Sequence, residues 1–181
     1  MDAQLVELAQ RGDRSAFGQL ATEFGDRLYA LAYRMLRDSD LAADAAQESI
    51  VLIWRDLRAL RDPRRFETWA YRILVRACYR EVRRQRRPVP RLYALHELSA
   101  GDSADAVADR DELDRAFARL TADQRAVLTL QYYLGMTHPQ IADVLEIPVG
   151  TVGSRLHAAK RALRGSLDAE ARTASVGGRV G

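Results

Sequence analysis

Apolar residues recur along this chain at spacings of three and four, and nowhere do they alternate with polar residues over the length of a strand. A side chain returns to the same side of an α-helix about every 3.6 residues and to the same side of a strand every second residue, so this period commits the chain to helices. Phe17, Leu20, Phe24, Leu28, Leu31 and Met35 form one stripe. After the turn-like Arg37-Asp38-Ser39-Asp40, Ala46, Ile50, Ile53 and Leu57 form a second, and after Asp62-Pro63, Phe66, Trp69, Ile73 and Ala77 form a third. Helices of this size enclose a common core, so residues 1–87 are expected to be one domain of three or four helices. Pro88 and Pro90 stop the third helix, because proline lacks a donor and restricts the residue before it. Residues 88–110 mix Pro, Ser, Gly, Ala and Asp with little period and read as a flexible linker, although Leu92, Tyr93, Leu95 and Leu98 are able to dock. Periodicity returns over 111–165, and the small, polar residues 166–181 read as a frayed, disordered tail. The expected fold is all-α: two small helical domains joined by that linker.

Charge divides the chain further. Residues 61–91 carry eleven Arg against three acids, residues 92–114 one Arg against seven acids, and residues 115–181 nine bases against five acids. Two basic blocks separated by an acidic stretch suggest two surfaces that face polyanions. Other classes are disfavoured. Cys78 is the single cysteine, which excludes an intrachain disulfide and reads as a small buried helix residue. His96, His138 and His157 are scattered, so no metal site and no cofactor are expected. No phosphate-cradling glycine loop and no paired His/acid constellation points to an enzyme. No apolar run reaches the roughly 18 residues that span a bilayer, and the first residues lack the form of a signal peptide, so a soluble cytoplasmic protein is expected.

The sharpest local pattern lies at 120–165. Thr121 is an N-cap for a helix running from Ala122 to Leu134, and Gly135 is suited to end it. Thr137 caps a short helix with Ile141 and Leu145 inside, and Pro139 occupies a first-turn position where proline is tolerated. Residues 146–150 make a turn, and Thr151 caps or begins a last helix whose apolar face is Val152, Leu156, Ala159 and Leu163. Two helices joined by a tight turn, the second apolar on one face only, form a helix-turn-helix. The opposite face offers Thr151, Ser154, Arg155, His157, Lys160 and Arg161. An Arg near the start of such a helix reaches guanine edges in the major groove, while hydroxyls and other cations suit phosphates.

The stretch LTADQRAVLTLQYYLGMTHPQIADVLEIPVGTVGSRLHAAKRALR resembles the promoter minus-35-binding domain of bacterial sigma factors, specifically the extracytoplasmic-function group. LuxR-type regulators share a broadly similar helix-turn-helix. The resemblance implies that Thr151, Ser154, Arg155, His157, Lys160 and Arg161 face the minus-35 duplex. The family usually has a lysine where Gly153 stands, and a Ser/Thr-x-x-Glu where this chain has Thr137-His138-Pro139-Gln140.

The N-terminal half makes the match specific. Asp44-Ala45-Ala46-Gln47-Glu48 and the apolar run to Trp54 resemble the family helix that binds the clamp helices of the polymerase's largest subunit. That assigns Asp44, Gln47, Glu48, Trp54 and Arg55 to core polymerase, which the family also contacts at its flap. Ala43 stands where the family often has Glu. Arg58–Arg65 followed by Phe66-Glu67-Thr68-Trp69 resembles the loop and helix that read and open the minus-10 element. Opening a duplex requires a pocket for an unstacked base and cations for the backbone. The resemblance therefore implies minus-10 roles for Arg61, Arg64, Arg65, Trp69, Arg72, Arg76 and Arg80, with Trp69 reading as core before stacking platform. The family often has Asn near position 76 and Asp near position 80; this chain has Arg at both. The expected function is a sigma factor that catalyses nothing itself. Its partners would be core RNA polymerase, promoter DNA and an anti-sigma factor, and the acidic linker would cross the polymerase near the RNA exit path. The alternative is a stand-alone helix-turn-helix regulator, which would dimerise on a palindromic operator; no dimer helix is apparent.

Overall fold

The computed structural model describes residues 1–85 and 113–177, the last eight of these for their backbone alone. The linker, its apolar residues and the final residues of the tail lie outside the described residues. The described residues form helices and contain no strand.

The N-terminal half holds α1 (Ala3–Gln10), α2 (Arg14–Leu36), α3 (Ser39–Asp56) and α4 (Phe66–Gln85). Aspartates start the first three. Asp2 accepts from the Gln4 amide, Asp13 from Ser15 and Ala16, and Asp38 from Asp40 and Leu41, each satisfying donors that a helix N-terminus leaves orphaned. Two 3₁₀ turns, Leu57–Ala59 and Pro63–Arg65, carry the chain from α3 to α4, and the Asp62 carboxylate accepts from the Arg64 amide at 3.0 Å. The stripes anticipated from spacing face one core, where Phe24 packs against Phe66 and Tyr71 at ring separations of 5.4 and 5.1 Å. Cys78 is fully buried there, and burial pushes its thiol pKa up to about 12.

The C-terminal half begins with α5 (residues 113–118), followed by α6 (Ala122–Leu128), α7 (His138–Leu145) and α8 (Val149–Gly177). The helix expected to run to Leu134 stays α-helical only to Leu128; Thr129–Tyr133 widens to a π turn, and Gly135 then closes it at φ +63°. At α7 the Gln140 side-chain oxygen accepts from the Thr137 amide at 2.8 Å and from its hydroxyl at 2.9 Å. Gln140 thus takes the place of the carboxylate missing from this capping box. The last helix starts at Val149, two residues before Thr151. It also continues twelve residues past Leu163-Arg164-Gly165, through the stretch read as a disordered tail, to Gly177. Ser166–Gly177 is rich in alanine and contains no proline; small residues resemble a loop by polarity but extend a helix by propensity.

The two halves pack directly on each other, which no local pattern announces. α4 lies against α7 and α2 against α6, and one cluster of buried apolar residues runs through both halves. Arg125 of α6 spans the junction: its guanidinium donates to the carbonyls of Met35 (2.6 Å), Leu120 (2.6 Å) and Ala118 (3.1 Å). Met35 lies in the last turn of α2, where carbonyls lack helical partners and a cation is favoured. Burial and the neighbouring Arg37 hold the Arg125 pKa below the ordinary arginine value.

Candidate functional site

Three surfaces carry the residues singled out by the sequence. The first is one edge of α3. Asp44, Gln47, Glu48, Trp54 and Arg55 all lie exposed along it, because Leu41, Ala42, Ala45, Ala46 and Ser49 turn the other side of the helix inward. Trp54 is 42% exposed, yet its ring packs against Phe17 with centroids 4.5 Å apart and planes tilted by 58°, which fixes its position. Arg55 makes two hydrogen bonds of 2.7 Å to its neighbour Asp56. Val51, 60% exposed on the same edge, was missed by sequence reasoning. Its spacing of three and four from Glu48 and Gln47 was the available signal. An apolar patch flanked by acids and amides suits a protein partner.

The second surface follows the loop after α3 and the outer face of α4. Arg61, Arg64 and Arg65 are exposed on the loop; Trp69, Arg72, Arg76 and Arg80 follow at spacings of three and four on one side of α4. Trp69 is half-buried against Phe66, with ring centroids 6.2 Å apart, so it serves the core. Arg72 is half-buried. Arg80 is paired with Glu48 of α3 at 2.8 Å, which ties the first surface to the second. Arg65 is paired with Asp143, and Arg76 binds Glu146 through both Nε (2.9 Å) and a terminal nitrogen. Asp143 is in α7 and Glu146 just follows it, so both acids come from the other half of the chain.

Beside the loop opens a polar cleft of about 240 Å³, lined among others by Arg27, Pro63, Arg64, Thr68 and Tyr71. Glu67 anchors its wall by accepting two bonds of 3.1 Å from Arg27 and one of 2.8 Å from the chain N-terminus. Burial works to raise the Glu67 pKa, but these two cations outweigh it and hold the carboxyl below its ordinary range.

The third surface is α8. Val152, Leu156 and Ala159 bury one side. Ser154, His157 and Arg161 are exposed along the opposite stripe, and Arg164, missed by sequence reasoning, extends it by one turn. Thr151 is half-buried, and its carbonyl accepts from the Ser154 hydroxyl at 2.9 Å. The remaining two residues flank the stripe. Lys160 lies over the Tyr132 ring at 5.2 Å. Arg155 is half-buried in a cleft between the halves, shared with Tyr79, Arg83, Asp123 and Glu146.

On the Lys160 side a groove of about 540 Å³ separates α2 from the C-terminal half. Tyr33, Phe117, Tyr132 and Tyr133 give it an aromatic lining with Arg34, Arg37 and Lys160 at its rim. Among the described residues no cluster of His, Cys, Asp and Glu is arranged to hold a metal, and no helix is long and apolar enough to cross a membrane.

Residues 20–88 match the family described as Sigma-70 region 2, and residues 110–163 match Sigma-70, region 4. The RNA polymerase sigma-H factor of Pseudomonas aeruginosa is 33% identical, covering 90% of this chain and 91% of that protein. The ECF RNA polymerase sigma factor SigW of Bacillus subtilis is 28% identical, covering 90% and 94%. Among solved structures, CnrH in complex with the cytosolic domain of CnrY superposes with a TM-score of 0.69 at 28% identity, covering 93% of this chain and 97% of that one.

Proposed function

Because the chain belongs to the extracytoplasmic-function group of RNA polymerase sigma factors, we propose that its three surfaces divide the work of directing transcription initiation. The α3 edge, with Asp44, Gln47, Glu48, Val51, Trp54 and Arg55, binds core polymerase. The loop and the outer face of α4 hold the opened minus-10 strand: Arg61, Arg64, Arg65, Arg72, Arg76 and Arg80 supply charge, and the cleft beside Pro63 takes an unstacked base. The exposed stripe of α8 enters the minus-35 major groove, with Ser154, His157, Arg161 and Arg164 at phosphates, and Arg155, beside the stripe, turns from its cleft to a base edge.

The observation that carries this reading is the arrangement on one chain: an acid-flanked apolar edge beside a basic helix, followed by a helix-turn-helix with an exposed basic stripe. Each surface supplies binding energy and none assembles a nucleophile with a base, so the protein acts by positioning the polymerase and catalyses nothing itself, in the cytoplasm where polymerase works. CnrH was solved with the cytosolic domain of CnrY. An anti-sigma protein is proposed as a partner of this chain, and the aromatic groove with its cationic rim suits an acidic amphipathic helix from it.

Run-off transcription with bacterial core polymerase and promoter fragments from the source genome tests the assignment. Specific transcripts that require the chain are expected. Absence of transcripts, together with failure to co-elute with core polymerase, would favour the stand-alone regulator.

A further inference from the structure

We propose that the groove between α2 and the C-terminal half is a binding site for a small aromatic anion, of the class of a nucleoside diphosphate. Its volume of about 540 Å³ is that of a small-molecule site. Its floor is aromatic and its rim cationic, the combination that a flat base carrying phosphates requires. Three cations lie over its rings. The Arg34 guanidinium is centred 3.7 Å from the Tyr133 ring, the Arg37 guanidinium 5.2 Å from Tyr33, and the Lys160 ammonium 5.2 Å from Tyr132.

Two of these cations are left for a ligand. Arg37 is engaged by Asp114 at 3.3 Å. Among the described residues, Arg34 and Lys160 form no ion pair with a carboxylate. Arg34 is half-buried and donates to the Ala30 carbonyl at 3.0 Å, which leaves most of its fork of donors unused. A guanidinium already held by a ring and a carbonyl is oriented in advance, so an arriving phosphate orders less. Arg34 comes from α2 and Lys160 from α8, so their two uncompensated charges converge on the groove from different elements and match the multiple charge of a diphosphate.

The backbone of the groove wall is an independent observation. The π turn at Thr129–Tyr133 closes with the Leu134 amide donating to the Thr129 carbonyl at 3.1 Å. Such turns are rare and concentrate at functional sites. This one leaves two consecutive tyrosines, Tyr132 and Tyr133, 61% and 46% exposed, while Leu128 and Leu130 beside them are buried. The core gains nothing from two exposed phenol rings, whereas a planar base gains faces on which to stack. Tyr33 across the groove is backed by Tyr29, with ring centroids 6.4 Å apart and planes within 22°, so that wall is firm. The same groove is offered above to an acidic helix, and nucleotide and helix would exclude each other. The nucleotide site does not depend on the sigma-factor reading, because its test contains neither polymerase nor promoter.

The test is isothermal titration of the full chain with ADP and GDP at low salt, and with adenosine and pyrophosphate as the two halves of the ligand. One saturable site is expected, and both diphosphates should bind it roughly tenfold or more tighter than either half, since stacking and charge each contribute. Tyr132→Ala and Lys160→Gln, both at exposed side chains, should each weaken ADP binding by roughly tenfold. Arg34→Gln should do the same, and the two exposed variants keep the test valid if it fails to fold. Arg14→Gln, which removes the same charge near the start of α2, should leave the affinity unchanged. No saturable binding of either diphosphate up to millimolar concentration would overturn the proposal. So would pyrophosphate binding as tightly as ADP, which would reduce the groove to an anion patch, or ADP affinity unaffected by Tyr132→Ala and Lys160→Gln.

Discussion

Gly153 offers the cleanest separation of helix stability from DNA contact. It lies in the first turns of α8 between Val152 and Leu156, both buried, so the helix is held in place around it. A Cβ built at Gly153 meets no atom within 4 Å, and its backbone is not in the left-handed region. Nothing in the free protein requires glycine there. Gly153→Ala should therefore recover the helix-propensity difference, about 0.8–1.0 kcal/mol, or roughly fivefold in the folding equilibrium. Because one apolar cluster spans both halves, the chain should melt as a unit, and 1 kcal/mol then raises Tm by about 2–4 °C in a protein of this size. Urea unfolding checks it independently: the midpoint should rise with the slope unchanged. Gly153→Lys should give part of the same gain and also add a phosphate contact, steepening the salt dependence of minus-35 binding by about one unit in the log–log slope. A midpoint that is unchanged or lower for Gly153→Ala would refute the reasoning. A stabilised variant that loses minus-35 affinity would show instead that the glycine backbone approaches the DNA.

Other perturbations address the remaining surfaces. Arg155→Ala should cost about 1–3 kcal/mol at a single minus-35 base position and leave core binding unchanged, as read by competition among base-substituted duplexes. Glu48→Arg and Val51→Asp should each weaken co-elution with core polymerase while changing the unfolding free energy by no more than about 0.5 kcal/mol, since both side chains are exposed. Cys78 should resist alkylation in the native chain and react on unfolding, because its thiol is buried and its pKa raised to about 12; rapid native labelling would contradict the packing of α4. Glu67 has a depressed pKa, so its ion pairs should stabilise the fold fully above the ordinary carboxylate range and lose that contribution as pH falls through the lower folded value. Glu67→Gln should flatten the acid limb of a stability–pH curve.

The elements legible in sequence were those whose core residues share one face over several turns. The stripes from Phe17 to Met35 and from Phe66 to Ala77 are long enough for the helical period to stand out, and Gly135 and Thr137 punctuate the second half by their own chemistry. α1 escaped notice because eight residues bury only Val6 and Ala9, too few to establish a period. The end of α8 was misread because alanine, serine and threonine look loop-like by polarity. Within the candidate site, exposure of the α3 edge followed from its period, yet Val51 was passed over because an apolar residue in an amphipathic helix is assumed to face inward. The pairing of Arg76 with Glu146, 70 residues apart, has no local signature at all. It arises from how the halves meet, which depends on the sum of many contacts rather than on a motif.

The Glu48–Arg80 pair has a thermodynamic consequence. Its acid belongs to the edge proposed for polymerase and its cation to the face proposed for DNA, so each partner of the pair is wanted by a different macromolecule. Whichever arrives first breaks the pair and releases the other end, sparing the second arrival that work. Linkage then requires the help to be mutual: polymerase raises the affinity for promoter by the same factor that promoter raises the affinity for polymerase. One exposed ion pair contributes at most a few-fold to this coupling, but it favours the ternary complex over either binary one.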